Sequence, residues 1–244
     1  MKRLLFTIKL IALLFIFGIA QGQPYAYKGS EFVRIAFQTS QDVINRLVPK
    51  PLVVNTGGLI NLDIGFQKME IGLNYHEMIL SVPVEFNGKK GDYAALLYLD
   101  DFNAITPGRE IWGFPKYFAE ITFQKDTDHV IARISKDKKL IIEADVELGN
   151  IINNYKAPDP LNFVLKYIPS VEEGLVDVKQ LNSVYSSNFT FNKLQLAKAK
   201  LTINNIPDNS IGEIPIIKIL NASYFESNFI LGFGKKEFDY LQQK

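Results

Sequence analysis

Apolar and polar residues alternate with a period of two along most of this chain. That spacing turns successive side chains to opposite faces of a β-strand. It predicts strands over residues 31–37, 58–66, 78–86 and 93–99, then over 118–124, 129–135 and 140–148. Further strands are predicted at 162–168, 176–185, 189–203, 215–220 and 224–231. Helical spacing is scarce. Residues 40–48 put Val43, Ile44, Leu47 and Val48 on one face, with Ser40 as the cap and Pro49 and Pro51 as the stop. Thr106-Pro107 could open a short helical turn toward Trp112, with proline at the first helical position. The tail, residues 235–241, is predicted as one more short helix. Residues 87–92 read as a hairpin turn, and residues 154–159 as a polar, proline-containing connection. Many strands, short turns and few helices predict a mainly β fold, an antiparallel barrel or double sheet.

The first 22 residues break the pattern. Lys2 and Arg3 precede an apolar run, and Ala20-Gln21-Gly22 offers a small-x-small cleavage sequence. The run is short for a membrane span of ~20 residues. Residues 1–22 are therefore predicted to be a cleavable secretory signal and residues 23–244 a single domain. The expected location is exported, periplasmic or secreted, without membrane attachment after cleavage.

Composition narrows the function classes. The 27 basic residues nearly balance 26 acidic ones, and no basic stripe stands out, which argues against a nucleic-acid partner. With no cysteine, disulfides, thiolate metal sites and cysteine nucleophiles are excluded. The two histidines, His76 and His129, are far apart in sequence and outline no metal site. Neither a serine-nucleophile elbow nor a phosphate-cradling glycine loop is present.

One stretch stands out chemically: Gly108-Arg109-Glu110-Ile111-Trp112-Gly113-Phe114-Pro115-Lys116. A lysine placed behind two aromatic residues and a proline must either reach back to water or give up its proton. A deprotonated lysine is a nucleophile able to form a Schiff base with a carbonyl compound.

The ordered segments around it resemble the acetoacetate decarboxylase family over nearly the whole predicted mature length. The residues that carry the resemblance begin with Leu47-Val48-Pro49-Lys50-Pro51-Leu52 and Tyr75-His76-Glu77, followed by the run from Val82 to Tyr93. They continue through Leu97-Tyr98-Leu99-Asp100, Gly108-Arg109-Glu110 and Pro115-Lys116 to Asn162-Phe163-Val164-Leu165-Lys166-Tyr167-Ile168-Pro169. The resemblance implies a cone-shaped β-barrel, usually in a homo-oligomer, with a Schiff-base lysine in an apolar cavity and no metal or prosthetic group. Lys116 occupies the nucleophile's position and Glu77 that of an active-site carboxylate. Lysine activation by a neighbouring cation is a property already known for this family.

Three departures accompany the match. Tyr117 stands where the family's decarboxylases carry a second lysine. Ser30 stands where the family has a pocket arginine, and Arg34, of the same strand parity, is the candidate replacement for binding a substrate carboxylate. A second family carboxylate falls at Leu62 or Asp63. Ser30, Tyr117, Asp63, Glu110 and Phe114 join Arg34 as candidate substrate-binding residues facing the cavity, while Arg109 is expected to order the loop that presents Lys116. The resulting expectation is a lyase that decarboxylates a small β-keto acid through a lysine iminium. The alternatives are an iminium-dependent aldolase or dehydratase acting on a keto acid or aldehyde, and an exported small-molecule-binding protein without turnover.

Overall fold

The structure, a computed structural model, describes residues 24–207 and 209–242; the predicted leader lies outside them. The elements run β1 (Tyr25–Gln38), α1 (Gln41–Leu47), β2 (Leu59–Lys68), β3 (Asn74–Phe86), β4 (Lys89–Leu99) and α2 (Phe102–Pro107). A π-helical turn (Gly108–Trp112) leads to β5 (Lys116–Phe118), β6 (Glu120–Lys125), β7 (His129–Lys136) and β8 (Lys139–Ile151). Then come β9 (Leu161–Pro169), β10 (Val176–Ile203), a 3-10 turn (Ser210–Glu213), β11 (Lys218–Leu231) and β12 (Lys235–Asp239).

Seven strands close a barrel in the order β11-β1-β2-β3-β4-β9-β10, with β10 returning to β11. The long strand β10 makes closure possible because it serves three partners in succession. Its first part pairs with β9, its middle with β11, and its last part leaves the barrel to pair with β8. From there β8, β7 and β6 form a second layer that folds back over β2 and β3.

Strand parity decides what lies where. On β1, Val33, Ile35 and Phe37 point outward into the layer between barrel and second sheet, as do Ile60, Leu62 and Ile64 on β2. They meet Val130, Ala132 and Ile134 of β7 in the same core. All nine are essentially inaccessible to water, and complete burial of a large aliphatic side chain stabilises by about 1.5–3 kcal/mol. Truncating Leu62 to alanine there would cost about 2–5 kcal/mol. The residues of opposite parity on these strands face the barrel interior, so the alternation in sequence separates a packing face from a cavity face.

Most predicted elements are present, with five corrections. The tail forms β12 instead of a helix, because Phe238 and Tyr240 lie two apart, pack on the main core and let the chain pair with residues 180–183 of β10. The strands predicted at 176–185 and 189–203 are one, since a bulge with Asn188 at φ 55° absorbs the polar Ser-Ser-Asn step without breaking the ladder. The strands predicted at 215–220 and 224–231 likewise merge into β11, where small residues 221–223 pair with β1. The sheet is also not wholly antiparallel: β4 pairs in parallel with β5 and with β9. Finally, α2 begins at Phe102 under an Asp101 cap whose side chain accepts the Asn103 N–H at 2.7 Å, so Pro107 closes the helix and does not open it. The expected cap of α1 is present, with Ser40 Oγ accepting the Val43 N–H.

Candidate active site

Lys116 is delivered to the barrel by the α2–π-turn segment. Two backbone N–H groups, of Gly113 and Phe114, converge on the Gly108 carbonyl and wind the π turn. Gly113 then reverses the chain at φ 94°, a conformation open mainly to glycine, where any Cβ would lie 2.6 Å from Lys166 Cα. Trp112 pins the turn from inside by donating its indole N–H to the Gly232 carbonyl at 2.8 Å, and Asn182 donates to the Trp112 carbonyl. After Pro115 the chain becomes β5, parallel to β4, with Lys116 opposite Leu97 and Tyr117 opposite Tyr98. Arg109 donates to the Lys116 carbonyl at 3.0 Å, ordering the segment as expected.

That pairing sends Lys116 inward and Tyr117 outward. Lys116 is only 8% exposed. Its side chain lies across Gly108 so closely that a Cβ there would fall 2.6 Å from Lys116 Cδ and 2.8 Å from Cε. Nζ ends 3.2 Å from Oε1 of Glu77, an ion-pair contact without hydrogen-bond alignment, which leaves Oε1 with no hydrogen bond of its own. Gln67 donates to the other carboxylate oxygen at 3.0 Å and thereby orients Glu77. The rings of Tyr75 and Phe114 flank Nζ at 5.5 and 5.8 Å from their centroids, close enough for cation–π attraction to an ammonium.

These groups enclose a chamber of about 90 Å³. Burial, with the Glu77 charge adding to it, pushes the Tyr75 hydroxyl well above the ordinary phenol range. Burial raises the Tyr27 hydroxyl in the same direction. Both phenols therefore stay protonated, sharing one hydrogen bond of 3.3 Å, and Glu77 is the carboxylate within ion-pairing reach of the amine. The chamber can thus hold a small carbonyl compound beside an amine that has a proton acceptor at its side. A larger cavity of about 500 Å³ does not include Lys116. It shares Gln67, Ile79, Asn162, Ser186 and Phe229 with the chamber, so the two are inner and outer parts of one barrel interior.

The structure gathers some sequence candidates and disperses others. Lys116, Glu77 and Phe114 meet in the chamber. Arg34 and Asp63 face the outer cavity and hold each other in a bidentate pair, Nε to Oδ1 at 2.7 Å and Nη2 to Oδ2 at 2.6 Å. Parity resolves the choice between Leu62 and Asp63: Leu62 is core and Asp63 faces the cavity.

Three placements correct the sequence reading. Ser30 is fully buried behind a bulge in β1, where its hydroxyl accepts the Lys68 N–H at 3.1 Å, and it lines neither cavity. Glu110 sits exposed on the outer side of the π turn. Tyr117 is half exposed, with the Arg109 guanidinium over its ring. His76, one residue from Glu77, faces away as alternation requires and pairs with Asp100 at 2.7 Å.

Gln67, Tyr75 and Tyr27 were not read from sequence as site residues. Tyr75 shares strand parity with Glu77 and could have been found that way. Gln67 is set opposite Tyr75 only by the β2–β3 register. Among the described residues, no group of three or more histidine, aspartate or glutamate side chains is arranged to hold a metal ion.

Comparison with known proteins agrees with this architecture. The family profile described as acetoacetate decarboxylase matches residues 18–241. The acetoacetate decarboxylase of Burkholderia multivorans is 31% identical over 225 residues, covering 90% of this chain and 91% of the relative. The crystal structure of acetoacetate decarboxylase from Legionella pneumophila superposes with a TM-score of 0.81 at 26% identity, covering 90% and 89% of the two chains. The enduracididine biosynthesis enzyme MppR complexed with pyruvate has the same fold, with a TM-score of 0.78 at 15% identity over 91% and 93% of the chains.

Proposed function

The chain belongs to the acetoacetate decarboxylase family, whose relatives are carboxy-lyases, and on that premise we propose that it decarboxylates a β-keto acid through an iminium on Lys116. The observation that carries this reading is the enclosed Lys116–Glu77 contact of 3.2 Å, flanked by the Tyr75 and Phe114 rings. Only the free amine attacks a carbonyl. In this reading Glu77, whose carboxylate accepts a hydrogen bond from Gln67, takes the ammonium proton and returns it later.

Nζ adds to the ketone carbon, and loss of water leaves a protonated C=N bond. The bond from the α-carbon to the carboxylate then breaks. Its electron pair moves into the iminium, carbon dioxide departs and an enamine remains. Protonation of the enamine carbon and addition of water release the ketone and restore the amine. The apolar walls favour the step in which the substrate's negative charge is dispersed into neutral products.

Borohydride reduction during turnover of acetoacetate tests the reading. A mass adduct mapped to Lys116, absent from Lys116→Ala, is the expected result. Carbon dioxide release without any adduct on Lys116 would overturn it.

One observation favours a second reading, an iminium-dependent aldolase or dehydratase. Arg34, the cation nearest in role to a carboxylate binder, is already held by Asp63. An adduct on Lys116 without carbon dioxide release would select this alternative.

A further inference from the structure

The outer cavity is much larger than the reaction described above needs. The Lys116 chamber, about 90 Å³, has the volume of roughly three liquid waters. It holds a reacting carbonyl with a small substituent and little more. The adjoining cavity of about 500 Å³ falls within the range of pockets that bury an entire drug-sized ligand. It opens from the chamber at Phe229, Ile79 and Asn162, which line both spaces.

Its walls are built for one kind of occupant. A chain of ring contacts leads outward from Phe229 through Phe189 at 6.4 Å to Phe191 at 4.9 Å, and on to Tyr155 at 5.7 Å. A branch runs from Phe191 to Phe225 at 5.5 Å and then to Phe32 at 5.7 Å. Edge-to-face and offset contacts like these present ring faces and edges that accept a further aromatic ring.

Among the described lining residues the one cation, Arg34, is committed to a carboxylate of the same wall. Arg34 is taken by Asp63 and stacks over Phe225 at 5.9 Å, and Asp92 faces the same pair. Burial raises the Asp92 carboxyl above its ordinary range, with the Arg34 charge opposing the rise and the Asp63 charge adding to it. Among the described lining residues no cation is left over for a phosphate or a second carboxylate.

We infer that this outer cavity is the subsite for a large, uncharged, aromatic substituent on the reacting carbonyl carbon. The preferred substrate is then a β-keto acid whose acyl substituent has the size of phenethyl, not methyl. The chemistry of this inference rests on the iminium reading given above, whereas the subsite itself rests on shape and lining alone.

The test uses the full chain and three acids: acetoacetate, 3-oxohexanoate and 3-oxo-5-phenylpentanoate. Expected is a rise in kcat/KM of at least tenfold from the first to the third, the scale on which apolar pockets discriminate. The ratio of kcat/KM between third and first should fall at least tenfold in Phe191→Ala. Equal or better turnover of acetoacetate, or an unchanged ratio in the variant, would overturn the inference.

A separate arm measures binding of the ketones acetone and 4-phenylbutan-2-one by calorimetry. If no acid yields an adduct on Lys116, the iminium reading fails. The subsite then stands if the phenyl ketone binds at least tenfold tighter than acetone and Phe191→Ala removes that advantage. Equal binding of the two ketones would overturn the subsite as well.

Discussion

A single methyl group at Gly108 separates fold stability from site geometry. Gly108 has ordinary right-handed helical angles, φ −58° and ψ −41°, so alanine is compatible with its backbone. Replacing glycine by alanine at a compatible position stabilises by about 0.4–1 kcal/mol through the unfolded chain. The new Cβ, however, would lie 2.6 Å from Lys116 Cδ and 2.8 Å from Cε. Carbon atoms rest at about 3.5–4.0 Å, so the lysine must retreat by about 1 Å. The flexible side chain can do so at about 0.5–1.5 kcal/mol for an off-rotamer torsion.

The two stability effects nearly cancel, and Tm should move by no more than about 4 °C. The displacement takes Nζ off Glu77, and a misplacement of that size lowers turnover about 100-fold. The assay pairs a thermal melt of Gly108→Ala with the rate of borohydride trapping by acetoacetate. A variant that melts like wild type and traps at the wild-type rate would refute the reasoning, because the lysine would not need the space that glycine leaves.

Other consequences follow from the same geometry. Glu77→Gln keeps the side chain's shape and removes its proton acceptor, so kcat should fall by about 10²–10⁴; an unchanged pH–rate profile would show that Glu77 handles no proton. Tyr117→Ala should stay within about threefold of the wild-type rate, since surface positions away from the site have small effects and this ring points to solvent; a loss of 100-fold would contradict the outward placement.

The Glu31 carboxyl gives a pH signature. Burial pushes its pKa up, but hydrogen bonds from Lys125, Lys68 and Tyr224 outweigh that and hold it at about 2, below the ordinary 4.5. A depressed pKa means that the stabilisation is complete above about pH 4.5 and is lost as the pH falls toward 2. Urea midpoints measured across that window should decline less steeply in Glu31→Gln than in wild type; parallel curves would show that the cluster contributes nothing.

Much about this protein was legible in the sequence because it depends on local geometry. Alternation along a strand is fixed by covalent structure, so it suffices to put Lys116 and Tyr117 on opposite faces, against the expectation from the family match that Tyr117 lines the cavity, and likewise to separate Glu77 from His76. The Ser40 cap was readable for the same reason, as its hydrogen bond spans three residues. The tail was misread because residues 235–239 become a strand only when the edge of β10 is there to pair with them.

What brings Glu77 to Lys116 is the β3–β4 register, which sets Glu77 opposite Leu99, together with the parallel docking of β5 on β4, which sets Lys116 opposite Leu97 and which no local pattern encodes. Tertiary structure alone also decided that Arg34 is spent on Asp63 across the β1–β2 register, and that Ser30 is buried behind a bulge. It set the Gly108 backbone against the lysine and lined up six rings from three strands and a loop into one wall. The face on which a side chain projects is a property of its own few bonds. The group it meets there depends on strands distant in sequence, whose register follows from packing the whole barrel.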